Sequence, residues 1–410
     1  MNSGFSAILR IDPMRAPCPT ARLRHAVGGP LLLVLSLLAA GARLAHAQGD
    51  VGVKAQHAIL VDADTGATLF QRNADELIYP ASMSKLMVLA MVFKALKAGE
   101  IKLSDEWLMS EFAWRKGGAP SGTSAMMVPV GTRATVDDLL KGIIVQSGND
   151  AAIAVAEALG GNEGLFAEQM TQEARRIGLK KSVFKNATGL FHPEHQMTVR
   201  ELAMLARHLI HEYPEEYKLF ALREFAYRKH RFINRNPLLN LVAGVDGLKT
   251  GYIKESGYGM VASAKQDDRR LIAVVSGLAT AEERREDTRR LLEWGFKGFA
   301  EARLFDAGEV VGHARVWGGQ RMFVPLTGNG DVMIWLPRVP ANQRLRASIV
   351  YKWPLKGPLS KGDQVAMLRV TSSSDTMNEV PLYAAEDVAP SGTLRRGLDS
   401  LLCMATRWLP

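Results

Sequence analysis

Residues 245–278 read VDGLKTGYIKESGYGMVASAKQDDRRLIAVVSGL, and this stretch decides the fold. It holds three strand-like runs, residues 247–253, 257–265 and 270–278, separated by turn residues. A tight polar connection, Gln266-Asp267-Asp268-Arg269, joins the last two runs, and a connection this short implies antiparallel pairing. The stretch therefore predicts the centre of a mainly antiparallel sheet.

Helical patterns surround these strands. The elements expected before and after them are strands at 58–62 and 67–71, helices at 82–98 and 151–159, and helices that open at the capping boxes Thr198-Val199-Arg200-Glu201 and Thr280-Ala281-Glu282-Glu283. Two strands, a helical middle, three strands and a closing helix predict an α/β domain with a mainly antiparallel sheet flanked by helices, over residues 48–300.

The remainder of the chain changes character twice. Short strands with frequent Gly and Pro turns predict a separate small all-β domain at residues 301–390. Residues 391–410 form an amphipathic pattern whose apolar face carries Leu394, Leu398, Leu401, Leu402, Ala405 and Leu409. With its arginines and Trp408, this segment (residues 392–410) suits the surface of a membrane. A helix packed on the β domain is the alternative.

The amino terminus is typical of a secretory signal. Arg22 and Arg24 precede an apolar run at residues 31–40, and Ala45-His46-Ala47 supplies a small-x-small cleavage pattern. We expect residues 1–47 to be removed and the protein to be exported; an uncleaved anchor is the alternative. The chain starts at Met1, but Met14 would serve as well because the residues before it add nothing to the signal.

Composition limits the class of protein. Of 410 residues, 47% are hydrophobic and 23% charged, as in soluble globular proteins. Residues 1–47 contain five Arg and one Asp, so the net charge of +9 falls to +5 without them, and nucleic-acid binding is not expected. No His, Cys, Asp or Glu cluster has metal-site spacing, and no cofactor motif is present. After cleavage Cys403 is the single cysteine, which excludes an intrachain disulfide.

The first motif with chemical potential is Ser82-Met83-Ser84-Lys85, at the start of a predicted helix. Positions i and i+3 share a helix face, so the Lys85 amine can reach the Ser82 hydroxyl. Serine is a poor nucleophile until a base takes its proton, and a lysine whose pKa is lowered can be that base. The spacing alone also fits an ordinary serine at a helix start.

Two further motifs follow. Ser147-Gly148-Asn149 lies in a predicted loop before the buried helix, where it can offer a hydroxyl and a carboxamide to a cleft. Lys249-Thr250-Gly251 lies on the first late strand, where a cation and a hydroxyl suit a substrate carboxylate and Gly251 leaves room for a ligand backbone. Each motif alone has an ordinary structural explanation, as a turn or a surface strand.

Together, in this order, the three motifs resemble the signature of penicillin-binding proteins and class A β-lactamases. Glycine at position 148, in place of aspartate, resembles the low-molecular-mass D-alanyl-D-alanine carboxypeptidases, of penicillin-binding protein 5/6 (peptidase S11) type. Further similar segments are Tyr79-Pro80-Ala81, Val245-Asp246-Gly247, Asn186-Ala187-Thr188-Gly189-Leu190 and Arg270-Leu271-Ile272-Ala273-Val274-Val275. The resemblance covers residues 50–300 and implies a serine β-lactamase/transpeptidase-like fold.

The resemblance also implies a reaction. Ser82 would attack the penultimate D-alanine carbonyl of a peptidoglycan stem pentapeptide, with Lys85 as base and Ser147 relaying a proton to the leaving D-alanine. Asn149 would bind the substrate amide, and Lys249 and Thr250 would bind the terminal carboxylate. Gly251 and Tyr252 are the other two residues expected to bind substrate. Backbone N–H groups of Ser82 and Tyr252 would form the oxyanion hole. β-Lactams would acylate Ser82. The protein is expected to be located at the periplasmic face of the cytoplasmic membrane, peripherally attached.

Some alternatives stay open. Many relatives have His-Thr after Lys-Thr-Gly, whereas this chain has Tyr252-Ile253, which leaves the deacylation rate undetermined. A β-lactamase would need a deacylating glutamate, and no convincing Glu-x-x-Leu-Asn segment follows Ser147. A D,D-endopeptidase shares the motifs, and a non-catalytic peptidoglycan-binding protein is the alternative of another class. His192 and His195 are interpreted as a solvated loop pair rather than as part of the cleft.

Overall fold

The computed structural model describes residues 10–11, 51–338, 345–352, 354–372 and 377–393. The predicted signal, residues 1–47, lies outside these residues apart from a two-residue strand, β1 (Arg10–Ile11), and the predicted amphipathic tail lies outside them after Thr393. The chain divides into two compact units, one spanning Val51–Phe299 and the other containing Ala300–Pro410.

The strands of the first unit are β2 (His57–Asp62), β3 (Thr68–Arg72), β4 (Glu106–Leu108), β5 (Arg133–Thr135), β6 (Glu224–Tyr227), β7 (His230–Ile233), β8 (Val245–Ile253), β9 (Gly257–Gln266) and β10 (Arg269–Leu278). Five of them form an antiparallel sheet in the order β3-β2-β10-β9-β8. The others form two separate antiparallel pairs, β4 with β5 and β6 with β7. The antiparallel arrangement of the last three strands confirms the prediction, and β8 lies at the edge of the sheet.

Helices cover the sheet and fill the middle of the unit. They are α1 (Lys85–Lys97), α2 (Glu111–Gly117), α3 (Val136–Lys141), α4 (Asn149–Gly160), α5 (Glu163–Arg176), α6 (Val199–Glu212), α7 (Pro214–Tyr217) and α8 (Ala281–Gly298), with 3₁₀ turns at Ala81–Ser84, Ala119–Ser121, Lys218–Ala221 and Pro237–Asn240 and a π turn at Gly142–Gln146. Helices α1 and α4 are apolar on almost every face and lie in the core, as their sequences predict.

One predicted capping box is only half formed. The Thr198 hydroxyl accepts a hydrogen bond from the N–H of Glu201, as a capping residue should. The Glu201 carboxylate does not return to Thr198, however; it accepts from the N–H groups of Lys181 and Ser182, 2.7 Å from each. Glu201 therefore ties the preceding loop to α6 instead of closing the box.

The described part of the second unit is all-β, as the sequence predicts. Its strands are β11 (Phe299–Phe305), β12 (Gly312–Trp317), β13 (Phe323–Thr327), β14 (Val332–Pro337), β15 (Leu345–Val350), β16 (Leu355–Lys356), β17 (Gln364–Ser372) and β18 (Met377–Ala384). Pairing of β15 with β17, β17 with β18 and β13 with β12 and β18 is antiparallel. Inward-facing side chains such as Val324, Leu326 and Leu368 form its own core. Among the described residues, no helix has the length and hydrophobicity needed to cross a membrane.

Candidate active site

A 3₁₀ turn, not the first turn of the α-helix, carries the candidate nucleophile. Ser82 lies within Ala81–Ser84, and α1 begins only at Lys85. Ala81 has a positive φ of 51°, an uncommon conformation for a residue with a side chain. The Ser84 hydroxyl donates to the Ala81 carbonyl oxygen at 2.9 Å and holds this turn. The turn presents Ser82 to the cavity while α1 continues into the core.

Gly251 lets the edge strand approach this turn. A Cβ atom at position 251 would lie 3.0 Å from the carbonyl oxygen of Pro80 and 3.2 Å from the Cβ of Ala81. Such distances leave no room for a side chain, so the glycine is required by packing of β8 against the Ser82 turn. Gly251 also lines the cavity, and space for a ligand backbone at this position stays a prediction.

Lys85 is buried and in reach of Ser82. Its Nζ lies 3.0 Å from Ser82 Oγ and 2.7 Å from Asn149 Oδ1, and it also donates to the carbonyl oxygen of Thr188. The pKa of Lys85 is lowered from 10.5 to about 7, mainly by burial and in part by the positive charge of Arg235. An amine in this state exchanges its proton near neutral pH.

The second motif lies on the opposite wall. Ser147 follows the π turn with a positive φ of 63°, and its Oγ is buried with no hydrogen-bond partner among the described residues. Asn149 begins α4; its Oδ1 faces Lys85, and its Nδ2 donates to Thr123 Oγ1 at 2.8 Å. A buried hydroxyl that lacks a partner is available to a ligand, because burial without a hydrogen bond is costly.

The third motif contributes a buried cation and a hydroxyl from β8. Lys249 Nζ donates to the carbonyl oxygen of Thr250 at 3.2 Å, and both side chains are buried. Burial holds the pKa of Lys249 well below its usual range, and the positive charges of Lys85 and Arg235 act in the same direction. The positive charges in this region therefore destabilise one another.

These groups surround one cavity of about 410 Å³. Its lining residues are Ser82, Ser124, Ser147, Arg235, Thr250, Gly251, Tyr252, Tyr258 and Arg284. Residues from all three motifs thus line the same cavity, and the buried side chains of Lys85, Asn149 and Lys249 belong to the same motifs. Sequence reasoning missed four of the lining residues, Ser124, Arg235, Tyr258 and Arg284, because none of them belongs to a motif.

Two of the missed residues add positive charge. Burial lowers the pKa of both Arg235 and Arg284, and neither forms an ion pair within the part of the chain that the structure describes. The Arg284 guanidinium lies 5.6 Å from the ring centre of Tyr258, which in turn lies 4.3 Å from the ring of Tyr252. Guanidinium groups that lack a carboxylate partner are suited to binding a carboxylate ligand.

His195 does not belong to a solvated loop pair, and that expectation was wrong. Its side chain is 2% exposed and packs edge-to-face on Phe184 with ring centres 5.6 Å apart. Its Nδ1 accepts from the N–H of Lys185, and burial lowers its pKa to about 3, so the imidazole is neutral at physiological pH. His192 remains partly exposed, as expected for a loop residue. Among the described residues, no group of three His, Cys, Asp or Glu side chains could hold a metal ion.

Comparison with known proteins gives a consistent result. The family model described as D-alanyl-D-alanine carboxypeptidase (peptidase S11) matches residues 44–280, and that of the penicillin-binding protein 5 C-terminal domain matches residues 299–390. The D-alanyl-D-alanine carboxypeptidase DacC of Escherichia coli is 37% identical over 361 residues, covering 87% of this chain and 90% of the relative.

Solved structures agree. Penicillin-binding protein 5 from Haemophilus influenzae is 34% identical with a TM-score of 0.68, and the match covers 82% of this chain and 98% of that one. Penicillin-binding protein D2 from Listeria monocytogenes, in an ampicillin-bound form, is 29% identical with a TM-score of 0.52, and the match covers 60% of this chain and 98% of that one.

Proposed function

The chain belongs to the D-alanyl-D-alanine carboxypeptidase family of serine peptidases, and from this premise we propose how its own residues carry out the reaction. Ser82 is the nucleophile and Lys85 its base. The observation that carries this assignment is the 3.0 Å separation of Lys85 Nζ from Ser82 Oγ, with the pKa of Lys85 lowered to about 7. Half of such lysines are neutral near pH 7 and free to take the serine proton.

The substrate is a peptidoglycan stem peptide that ends in two D-alanine residues. We propose that its terminal carboxylate lies against Thr250, Arg235 and Arg284, since these groups line the cavity and the two guanidinium groups have no carboxylate partner among the described residues. The buried amine of Lys249 lies 3.2 Å from the carbonyl oxygen of Thr250, and a bound carboxylate would favour its protonated form. A carboxylate here neutralises a cluster of cations, so binding is favoured by both Coulomb attraction and hydrogen bonds.

Acylation then follows. Lys85 takes the Ser82 proton, and Oγ forms a bond to the carbonyl carbon of the penultimate D-alanine. The N–H groups of Ser82 and Tyr252 stabilise the oxyanion, and removal of one such donor costs about 3–4 kcal/mol in other serine enzymes. The C–N bond breaks as Ser147 Oγ gives its proton to the leaving amine and takes up the proton that Lys85 received from Ser82, a role supported by the lack of another partner for Ser147. A water molecule then attacks the ester carbonyl, the bond from the acyl carbon to Ser82 Oγ breaks, and a proton of the water returns to Oγ as the shortened peptide leaves.

Asn149 has a double role in this proposal. Its Oδ1 already accepts from Lys85 and one Nδ2 hydrogen is donated to Thr123, so the carboxamide first orients the base. The second Nδ2 hydrogen remains for a substrate carbonyl, because a carboxamide nitrogen carries two donors.

Export and membrane attachment are also proposed. The signal-like pattern at residues 22–47 supports export, and the amphipathic pattern at residues 392–410 supports peripheral attachment at the periplasmic face of the cytoplasmic membrane. The predicted boundaries, 48–300 for the catalytic domain and 301–390 for the β domain, stay proposals.

Labelled penicillin tests the nucleophile. A β-lactam should acylate the wild-type protein at Ser82 by the same chemistry, and peptide mapping by mass spectrometry should place the adduct there. Ser82→Ala should take up no label. Ser84→Ala is the matched control, because it removes the other hydroxyl of the same turn and its hydrogen bond to Ala81, and this variant should still be labelled at Ser82. Labelling of Ser82→Ala, or a persistent absence of label on wild type, contradicts the assignment.

A further inference from the structure

Asp150 is a buried carboxylate beside the catalytic cavity, and the mechanism above does not use it. It is fully buried and forms no ion pair with any described residue. Its Oδ1 accepts from the N–H of Met126 at 2.7 Å and of Ala151 at 2.9 Å, and its Oδ2 from the N–H of Val128 at 3.3 Å. Burying a carboxylate without a cation is costly, and backbone donors have to offset the cost.

The segment that Asp150 holds forms part of the cavity wall. Ser124, two residues before Met126, lines the cavity, and its carbonyl oxygen accepts from the N–H of Asn149 at 2.7 Å. Thr123 accepts from the Asn149 carboxamide nitrogen at 2.8 Å. This second contact decides which way the carboxamide faces: with Nδ2 towards Thr123, Oδ1 faces Lys85.

The glycine of the second motif makes room for this arrangement. A Cβ atom at Gly148 would lie 3.0 Å from Asp150 Oδ1 and 3.1 Å from the Cβ of Met126. Any side chain at position 148 would press against the carboxylate and the segment it holds. The absence of a side chain at Gly148 therefore leaves the space that the Asp150 carboxylate occupies.

We propose that Asp150 is a positioning residue for acylation: by holding the segment 126–128 it fixes Thr123 and Ser124, and through them the Asn149 carboxamide that orients Lys85. These contacts connect the Asp150 carboxylate to Lys85, and Asp150 itself does not contact the substrate. The proposal rests on the acyl-enzyme function of Ser82, which labelling of the wild-type protein tests separately.

Asp287 supplies a matched control. It is also a buried carboxylate in the same unit, and its Oδ2 accepts from the N–H groups of Lys54 and Ala55 at 2.7 and 2.8 Å. It joins α8 to the start of the unit and is not among the residues that line the cavity. Asp150→Asn and Asp287→Asn thus remove two buried charges, one bonded to the segment 126–128 and the other to Lys54 and Ala55.

The experiment measures the acylation rate constant with saturating labelled penicillin, the binding constant of the penicillin and the melting temperature for both variants. Asp150→Asn should lower the acylation rate constant about tenfold or more, because small displacements of catalytic groups cost this much. Asp287→Asn should acylate at the wild-type rate despite a similar loss of thermal stability. Equal slowing of both variants, or wild-type acylation by Asp150→Asn, overturns the proposal.

The pH dependence separates the charge of Asp150 from its geometry. The negative charge of Asp150 raises the pKa of Lys85, so its removal lowers that pKa and shifts the acid limb of the acylation rate to lower pH. Asp287→Asn should leave the limb in place. If Asp150→Asn does not fold, Asp150→Glu keeps the charge but not the geometry: it should acylate slowly with an unshifted limb, and wild-type acylation by this variant overturns the proposal.

Discussion

The pH dependence of acylation follows directly from the state of Lys85. With a pKa lowered to about 7 by burial, the lysine is half neutral at pH 7. At pH 5 about one enzyme in a hundred has the neutral amine, so the acylation rate constant should be about a hundredfold below its plateau. An ordinary lysine would instead give a rate that keeps rising beyond pH 9, since its pKa is about 10.4.

The sign is fixed by the mechanism. Only the neutral amine accepts the Ser82 proton, so the rate rises with pH through the pKa of Lys85 and levels off above it. Stopped-flow acylation by a fluorescent penicillin between pH 5 and 9 measures this curve. The neutral imidazole of His195, whose pKa burial lowers to about 3, contributes no step in that range. A His192→Gln control should keep the midpoint unchanged, which excludes the other histidine of the loop that contains His195.

A flat profile between pH 5 and 9, or a continuous rise without a plateau, would refute the assignment of Lys85 as a base of lowered pKa. A midpoint that disappears in His192→Gln would transfer the role to an imidazole.

Three further predictions concern Arg235, Gly251 and the carboxyl-terminal segment. Arg235→Gln removes a charge that lowers the pKa of Lys85, so the acid limb of acylation should move to higher pH and peptide KM should rise; an unshifted limb measured by the same stopped-flow assay would contradict this. Gly251→Ala should cost about 1–3 kcal/mol in unfolding free energy and displace the Ser82 turn, because the new methyl group meets the carbonyl oxygen of Pro80 at 3.0 Å; normal melting and normal acylation would disprove the packing argument. Deletion of residues 392–410 should release the protein from membranes in a flotation assay while activity on a soluble peptide remains, and unchanged membrane association would count against the tail.

Local patterns in the sequence predicted the central elements well. The three strands of residues 245–278 were found within two residues of their ends, because turn residues and apolar runs mark them. The motifs predicted Ser82, Lys85, Ser147 and Thr250 as neighbours, and the fold brings them together at one cavity.

What the sequence could not predict depends on contacts between distant elements. Arg235 and Arg284 reach the cavity from a loop after β7 and from the start of α8, and no local pattern distinguishes them from surface arginines. The same holds for the carboxylate of Glu201, which holds a neighbouring loop instead of completing its capping box. His195 resembled a polar loop residue, yet packing on Phe184 buries it.

Mass spectrometry of the products from a synthetic stem pentapeptide tests the central claim most directly. Wild-type protein should release one D-alanine and leave a tetrapeptide, whereas Ser82→Ala, with its fold verified by melting temperature, should leave the pentapeptide intact. Tetrapeptide formation by Ser82→Ala, or an intact pentapeptide after incubation with wild-type protein that labelled penicillin does acylate, would contradict the account.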